Sequence, residues 1–160
     1  MAISITNSQG SKLYVCATSA AAVANPTEIA TAITAGKQVG CLQDLGAIGS
    51  TRSVQEYSCL SQDDTTKSSG SLSLGNISVS MLFNALDAAG QSELRSMYAS
   101  NSTRTMIVEL NDNAGVSPTY ITFEGFVSGQ EVAIQKDNAV MITSTVEIAS
   151  TPAFVEATSV

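Results

Sequence analysis

The sequence contains no histidine and no tryptophan among its 160 residues, and aromatic residues make up only 5% of it. Without histidine, a Ser-His-Asp triad, a Cys-His pair or a His-bearing metal site cannot form within one chain. The motifs SxxK, GxSxG, GxGxxG and GxxxxGKS/T, which mark catalytic serines and phosphate-binding loops, are also absent. We therefore expect no catalytic residue, no metal site and no cofactor.

Positive charge is scarce. The chain has 7 Lys and Arg residues against 14 Asp and Glu residues, which gives a net charge of -7. Proteins that bind nucleic acid by neutralising phosphates need a clustered basic surface. Scattered cations do not supply one, so the composition argues against tight binding of DNA or RNA.

Long apolar runs are missing as well. No stretch approaches the roughly 18 apolar residues that indicate a membrane-spanning helix, and no basic region precedes an apolar run at the N-terminus. We expect no signal peptide, no membrane partner and synthesis in the cytosol. The three cysteines, Cys16, Cys41 and Cys59, form an odd set without CxxC spacing. This pattern predicts small buried thiols and indicates neither a disulfide framework nor a zinc site.

The sequence is rich in small hydroxyl side chains. It has 23 Ser and 16 Thr residues, while charged residues make up 13% and hydrophobic residues 44%. This mixture favours half-buried strands and loops over a helical bundle built from Leu, Glu and Lys. The length predicts a single domain that spans residues 1–160.

Alternation of apolar and polar residues is the main structural signal. In the last strand predicted from it, Val140, Ile142 and Val146 lie on one side, and Thr143 and Glu147 lie on the side that touches water or a partner. The residues Gly75-Asn76 interrupt another segment and predict a bulge or bend there. The alternation predicts strands over residues 12–17, 39–45, 51–58, 72–81, 105–110, 119–127 and 140–148.

Helical spacing replaces this alternation in one segment. Residues 87–100 place apolar side chains on one helical face, with Asp87 as the cap and Asn101 at the exit. We expect this helix to pack against a sheet. A second, short helix is indicated by Asn25 as a cap before Pro26, with Gly36 as the stop.

Two segments carry little that could be buried. Residues 59–70 are almost wholly polar, and a loop of about a dozen structureless residues in a compact domain tends to be functional or to order on binding. Residues 151–160 form a short C-terminal tail. We take the polar segment as the candidate contact loop: Leu60, Ser61, Gln62, Asp63, Asp64, Thr65, Thr66, Lys67, Ser68 and Ser69.

Many strands without a repeating strand-helix rhythm predict a mainly β fold. We expect an antiparallel β-sandwich or barrel with one flanking α-helix. Because no catalytic residue is visible, the sequence favours an assembly or interaction protein over an enzyme. Sheet edges, the polar loop and the tail would supply its contact surfaces.

The order of several short motifs resembles the major tail tube proteins of long-tailed bacteriophages with non-contractile, siphovirus-type tails. The resemblance covers residues 25–152. Its elements, in order, are Asn25-Pro26, Leu42-Gln43-Asp44-Leu45, Glu56-Tyr57 before the polar loop, Gly90-Gln91 with Leu94, Phe123-Glu124-Gly125-Phe126-Val127-Ser128, and Thr151-Pro152.

This resemblance implies a β-sandwich subunit that forms hexameric rings, which stack into a hollow tube for genome delivery. It places the polar loop at a ring or stacking interface, where it orders on assembly. Implied partners are other copies of the chain, tail tip or initiator proteins, a tape measure protein and a tail terminator. Double-stranded DNA would pass through the lumen without specific binding. The implied location is the virion tail, with the host cytoplasm as the site of assembly.

An acidic lumen would let DNA slide, because carboxylates repel phosphates within about 8 to 10 Å in physiological salt. Glu56, Glu124 and Glu147 are the candidate lumen carboxylates, since each lies in a predicted strand. The same net charge also serves solubility, and each of these side chains could equally face outward.

Three alternatives remain open at the level of the sequence. The chain could belong to the inner tube of a contractile tail or to a type VI secretion-like tube. It could be a non-catalytic ligand-binding β-sandwich that uses Asp, Asn and Ser side chains of its loops. It could also be a hydrolase in which two carboxylates converge from distant strands.

Overall fold

The computed structural model describes residues 8–17, 25–58, 60, 64–87, 89–112 and 117–156. Within them the chain forms ten strands and two helices. Every strand pairing among them is antiparallel. In chain order the elements are β1 (Lys12–Val15), α1 (Pro26–Ala35), β2 (Lys37–Gln38), β3 (Leu42–Leu45), β4 (Ser50–Ser58), β5 (Thr65–Leu74), β6 (Asn76–Leu82), α2 (Gly90–Ser100), β7 (Arg104–Glu109), β8 (Tyr120–Ala133), β9 (Met141–Ile148) and β10 (Ala153–Val155).

Eight of these strands form one sheet. Its order is β2-β1-β7-β8-β9-β6-β3, and β10 pairs with the first residues of β8. The sheet curls until Leu42 and Leu45 of β3 lie across a cleft from Lys12 and Val108. The end strands β2 and β3 do not pair with each other, so the described part of the sheet is not a closed barrel. The predicted mainly β, antiparallel fold is confirmed.

The core fills the inside of the curl. Burial alternates residue by residue along β9, as the sequence predicts, with Ile142, Val146 and Ile148 pointing inward. The helix α2 adds Leu94 and Met97, neither of which has any exposed surface. Each such apolar side chain contributes about 1.5–3 kcal/mol on burial. The core consists of Leu13, Val15, Val39, Ile77, Val79, Met81, Leu94, Met97, Met106, Val108, Ile121, Phe123, Val127, Ile142, Val146 and Ile148.

The short helix α1 covers the outer face of β1 and β7. Asn25 caps it by accepting a hydrogen bond from the backbone N–H of Thr27 at 3.0 Å, and Pro26 is its first residue. Ile29 is fully buried, within a second apolar cluster that also contains Tyr14, Cys16, Ile107 and Val155. The predicted bounds of this helix are confirmed. The sheet therefore carries two helices, α2 inside the curl and α1 outside it.

Asp87 caps α2 from outside the helix. Its Oδ1 accepts from the backbone N–H of Ala89 at 3.1 Å and of Gly90 at 3.0 Å. Its Oδ2 accepts from Gln91 at 3.4 Å and from Gly40, in the β2–β3 turn, at 2.9 Å. The regular helix begins at Gly90, and Asp87 lies before it and acts as the predicted cap through its carboxylate.

The side chain of Gln91 completes this junction. Its amide nitrogen donates to the carbonyl oxygens of Gly40 at 3.0 Å and Leu82 at 2.7 Å. Its amide oxygen accepts from the N–H of Asn84 at 3.2 Å. Gln91 is 1% exposed, and these bonds satisfy its buried polar atoms. The start of α2, the β2–β3 turn and the end of β6 are thus held together by one residue.

Four details of the sequence prediction are wrong. Gly75 separates two strands of different sheets and marks no bulge within one strand. The strand predicted over residues 39–45 begins only at Leu42, because Gly40 and Cys41 form a turn in which Cys41 adopts a positive φ of 55°. The C-terminal tail contains β10, because Val155 is buried in the second cluster. Cys41 is exposed, whereas Cys16 is a buried thiol as predicted; Cys59 lies outside the described residues.

Substitution of Gly90 by Ala is expected to lower the free energy of unfolding by about 1–3 kcal/mol or more. The new Cβ would lie 2.1 Å from the carbonyl oxygen of Gln38 and 2.4 Å from the Cα of Val39, and neither backbone atom can move freely. The matched control is Gly129→Ala, whose Cβ would meet nothing closer than Thr145 at 3.8 Å. Urea denaturation followed by circular dichroism measures both. Equal stability of the two variants would contradict the expectation.

Acid should weaken the junction at Asp87. Burial alone would raise the pKa of this carboxyl, but the N–H donors of Gly40, Ala89, Gly90 and Gln91 outweigh it and hold the pKa below its ordinary value. The ionised Asp87 carboxylate therefore stabilises the fold above the ordinary pKa of an Asp side chain. This stabilisation is lost as the pH falls from about 4 through the lower pKa that Asp87 has in the folded state.

Asp87→Asn is expected to cost about 1–3 kcal/mol at neutral pH, because the amide nitrogen that replaces one carboxylate oxygen cannot accept from the N–H donors there. The variant should also lose less stability than the native chain on acidification, since no carboxylate is left to protonate there. Urea titrations at neutral and acidic pH measure the difference, with Glu28→Gln on the exposed first turn of α1 as the control. An unchanged acid dependence in Asp87→Asn would argue against this role of the carboxylate.

Candidate functional site

The strands β4 and β5 form a hairpin that stands apart from the curled sheet. They pair with each other in a separate two-stranded sheet, and every residue of β4 is exposed. Two glycines form its base: the N–H of Gly75 donates to the carbonyl of Gly49 at 3.3 Å, and the carbonyl of Gly75 accepts from Ile148 at 3.1 Å. The hairpin therefore projects into solvent from one end of β6 and β9.

Half of the predicted contact loop belongs to this hairpin. Residues 65–69 pair in register with β4, from Ser58 opposite Thr65 to Val54 opposite Ser69. The prediction of a loop over residues 59–70 is wrong for these positions. Leu60 and Asp64 lie outside the strands and are exposed, and Ser61, Gln62 and Asp63 lie outside the described residues. The prediction failed because a strand with both faces in water needs no apolar alternation.

Inside the hairpin, Glu56 faces a cation. Its Oε1 lies 2.8 Å from Nζ of Lys67, which stands directly opposite in the register. The side chains are 54% and 65% exposed, so the pair contributes about 0–1 kcal/mol. On the neighbouring positions, the hydroxyl of Tyr57 donates to Oε1 of Gln55. The structure thus places Glu56 on the hairpin, away from the other two candidate carboxylates.

Glu124 and Glu147 lie together on the outward face of the curled sheet. Glu147 stands opposite Phe126 in the β8–β9 pairing, and Glu124 lies two residues before Phe126 on the same face. The hydroxyl of Ser128, at a register shift in β8, donates to Oε1 of Glu147 at 3.1 Å. The sequence analysis identified both residues as candidates but could not show that they lie on one face of the sheet.

Hydroxyl groups are frequent on this outward face, and its four strands carry no positive charge. Strands β3, β6, β8 and β9 contain no Lys or Arg at all. The register adds Asp44, opposite Ser80, and Glu131, opposite Thr143, two carboxylates that the sequence analysis did not single out. We call this surface the hydroxyl face; its residues are Asp44, Ser78, Ser80, Glu124, Ser128, Glu131, Thr143, Thr145 and Glu147.

Ion pairs between described residues lie elsewhere on the molecule. Lys12 binds Glu109 at 2.7 Å on the side of the sheet that α1 covers, and this contact raises the pKa of Lys12. Arg104 binds Glu93 of α2 at 2.6 Å. The helix α1 covers the outer face at β1 and β7, whereas the hydroxyl face spans β3, β6, β8 and β9 of the same sheet. The described ion pairs of the curled sheet therefore lie outside the hydroxyl face.

Within the described ranges, no group of three or more Cys, Asp or Glu side chains is placed to hold a metal ion. Neither described helix is long and apolar enough to cross a membrane.

No protein-family model and no curated protein sequence matches the chain. Solved structures do match it. A chain from the structure of the PVC extracellular contractile injection system, sheath/tube terminator in the extended state, has a TM-score of 0.71 and 10% identity, with 96% of this chain and 99% of that chain covered. A chain from the anti-feeding prophage cap, the AFP tube terminating cap, has a TM-score of 0.68 and 11% identity, with 98% and 95% covered.

The SPP1 tail tube, solved by solid-state NMR and cryo-EM, is also similar. Its TM-score is 0.65 at 13% identity, with 95% of this chain and 80% of that chain covered. At such low identities the likeness shows the fold. The predicted tail tube fold is confirmed, here with two helices and an open sheet. The likeness extends to contractile injection systems as well as to a tail tube, so it does not distinguish a siphovirus-type tail from a contractile one.

Proposed function

We propose that this chain is a structural subunit of a tail tube. One observation carries the proposal: more than nine-tenths of the chain shares its fold with chains of tail tube and injection system assemblies. The motif order, which resembles non-contractile tail tube proteins, supports hexameric rings stacked into a hollow tube for genome delivery. The whole chain, residues 1–160, would then be one tube domain.

The projecting hairpin supports self-assembly. An isolated two-stranded hairpin is at best marginally stable in water, and this one adds almost nothing to the core of its own subunit. A hairpin of this kind becomes useful when it contacts another subunit. We therefore keep residues 60–69 as the proposed ring or stacking contact, now with residues 65–69 as part of the second strand of a hairpin.

The hydroxyl face supports a lumen role for Glu124 and Glu147, joined by Asp44 and Glu131. Small hydroxyl groups next to carboxylates present no cation to a phosphate, and the carboxylates repel DNA at short range. Glu56 is a weaker candidate, because Lys67 neutralises it on the hairpin. DNA would pass this surface without being held.

The proposed partners are other copies of the chain, a tail tip or initiator, a tape measure protein and a tail terminator. The proposed location is the virion tail, after assembly in the host cytoplasm, and the proposed role is not enzymatic. Contractile injection systems offer a second candidate context, since two of the similar structures come from them. In either context the chain would be a tube subunit.

Assembly should depend on the hairpin. We expect the native chain to form hollow tubes or six-fold rings as its concentration rises, seen by negative-stain electron microscopy and light scattering. Replacing residues 54–69 with Asn-Gly, a two-residue hairpin turn, should leave a folded monomer. The shortened hairpin keeps the pairing of Arg52 with Leu72, whereas removing residues 60–69 alone would leave half of β4 without its partner.

The control for this comparison is the urea midpoint, which should be the same in both proteins because the core is untouched. Tubes of normal length from the shortened chain would overturn the role of the hairpin. A native chain that stays monomeric at every concentration would count against the tube proposal itself.

The position of charge should decide whether tubes hold DNA. Glu147→Lys on the hydroxyl face is expected to make assembled tubes retain a short DNA duplex, with affinity falling steeply between about 50 and 200 mM salt. Glu28→Lys makes the same change in net charge on α1, outside the hydroxyl face. Co-sedimentation of DNA with tubes measures both, and equal retention by the two variants would contradict a lumen position for Glu147.

A further inference from the structure

An apolar groove lies at the end of the curled sheet that is remote from the hairpin. It has a volume of about 340 Å³. Three of its apolar side chains are well exposed: Phe83 at 44%, Val132 at 57% and Ile134 at 78%. Exposed apolar side chains gathered in one groove, unlike single ones scattered over a surface, mark an interaction site. We call this the Phe83 groove; its residues are Phe83, Arg95, Gln130, Val132, Ile134, Val140 and Ile142.

The Phe83 groove also carries a positive charge. The guanidinium carbon of Arg95 lies 6.0 Å from the centre of the Phe83 ring, at the limit of a cation–π contact. The ion pairs found between described residues engage Lys12, Lys67 and Arg104. Arg95 is exposed and takes part in none of them. A partner that brings an apolar side chain and a carboxylate would therefore match the groove.

The end of the hairpin supplies both an apolar side chain and a carboxylate. Leu60 is fully exposed, and Tyr57, the last but one residue of β4, is 55% exposed. Asp64, the residue directly before β5, is exposed as well. The hairpin end thus combines apolar side chains with a negative charge, whereas the Phe83 groove combines apolar side chains with a positive one.

The two surfaces lie at opposite ends of β6. The hairpin joins β6 at Asn76 through Gly75, and Phe83 follows directly after β6 ends at Leu82. The six steps from Asn76 to Leu82 span about 20 Å at about 3.3 Å per residue. The hairpin points into solvent and does not pack over the sheet, so it does not fill the groove of its own subunit. A contact between two different surfaces of identical chains is head-to-tail and can propagate.

We infer that the Phe83 groove receives the hairpin end of a second copy of this chain, with Leu60 on its apolar floor and Asp64 near Arg95. This inference rests on the proposed function and names the surface that accepts the hairpin. In this contact, successive subunits follow one another along the direction of β6.

Cross-linking between two singly substituted proteins tests the contact. In a background with Cys41→Ser and Cys59→Ser, one protein carries Leu60→Cys and the other Ile134→Cys. The two are co-assembled and treated with a short bis-maleimide. We expect the mixed adduct to exceed that of a control pair, Leu60→Cys with Phe154→Cys, by an order of magnitude, because the contact raises the effective concentration of the two thiols. Phe154 is a suitable control, since it is 65% exposed and lies on β10.

The outcomes separate this inference from the proposed function. Tubes with excess Leu60–Ile134 adduct support the contact. Tubes in which both pairs react equally overturn the contact and leave the tube proposal standing. Failure of the native chain to assemble overturns the tube proposal and the contact with it.

A charge exchange covers the case in which the cysteine variants fail to assemble. Arg95→Glu should raise the critical concentration for tubes about tenfold, equivalent to about 1.4 kcal/mol per contact. Adding Asp64→Lys should restore it to within about threefold of the native value, provided that circular dichroism shows both variants folded. No restoration by the second substitution would overturn the proposed pairing of Asp64 with Arg95.

Discussion

The side-chain amide of Gln91 joins the start of α2 to the β2–β3 turn and to the end of β6, and the shape of the subunit follows from that contact. An amide is suited to this position because it donates and accepts at once, so it can satisfy two carbonyls and one N–H that would otherwise be buried without partners. The neighbouring Gly90 lets the helix approach the backbone of Gln38 closely. With α2 held against the β2–β3 turn and the end of β6, the sheet curls around the helix. β3 then lies across from β1, the hairpin leaves at one end of β6, and the Phe83 groove opens at the other.

The curled sheet and the β4–β5 hairpin differ in how much apolar surface they bury. The curled sheet and its helices bury sixteen apolar side chains in one continuous core, and α1 covers part of the outer face. The hairpin buries almost nothing, and its second strand contains Ser and Thr on both faces. A strand of this composition holds its register through backbone hydrogen bonds and gains stability when another surface covers it. This contrast is the reason to connect the hairpin with assembly.

The charged side chains are distributed unevenly over the described part of the subunit. The cations at Lys12, Lys67 and Arg104 are bound by neighbouring carboxylates, whereas the four strands of the hydroxyl face contain no Lys or Arg. A chain with a net charge of -7 could have spread its acids evenly. It places four of them on one face among small hydroxyl groups, and the register of β3, β6, β8 and β9 is what assembles that face.

The sequence by itself determined the local structure wherever a single element carries the signal. The cap at Asn25 with Pro26 defines α1, and the alternation along residues 140–148 assigns the inner and outer sides of β9, because these signals lie within a few residues of each other. It also supplied the motif order on which the tail tube resemblance rests. Only the tertiary structure could decide that residues 65–69 form a strand, since a two-sided polar strand shows no alternation. Likewise, only long-range pairing could bring Asp44, Glu131 and Glu147 to one face and set Phe83, Arg95 and Ile134 around one groove. Contacts between residues distant in the chain depend on how the sheet curls, and that curl is set by packing around α2.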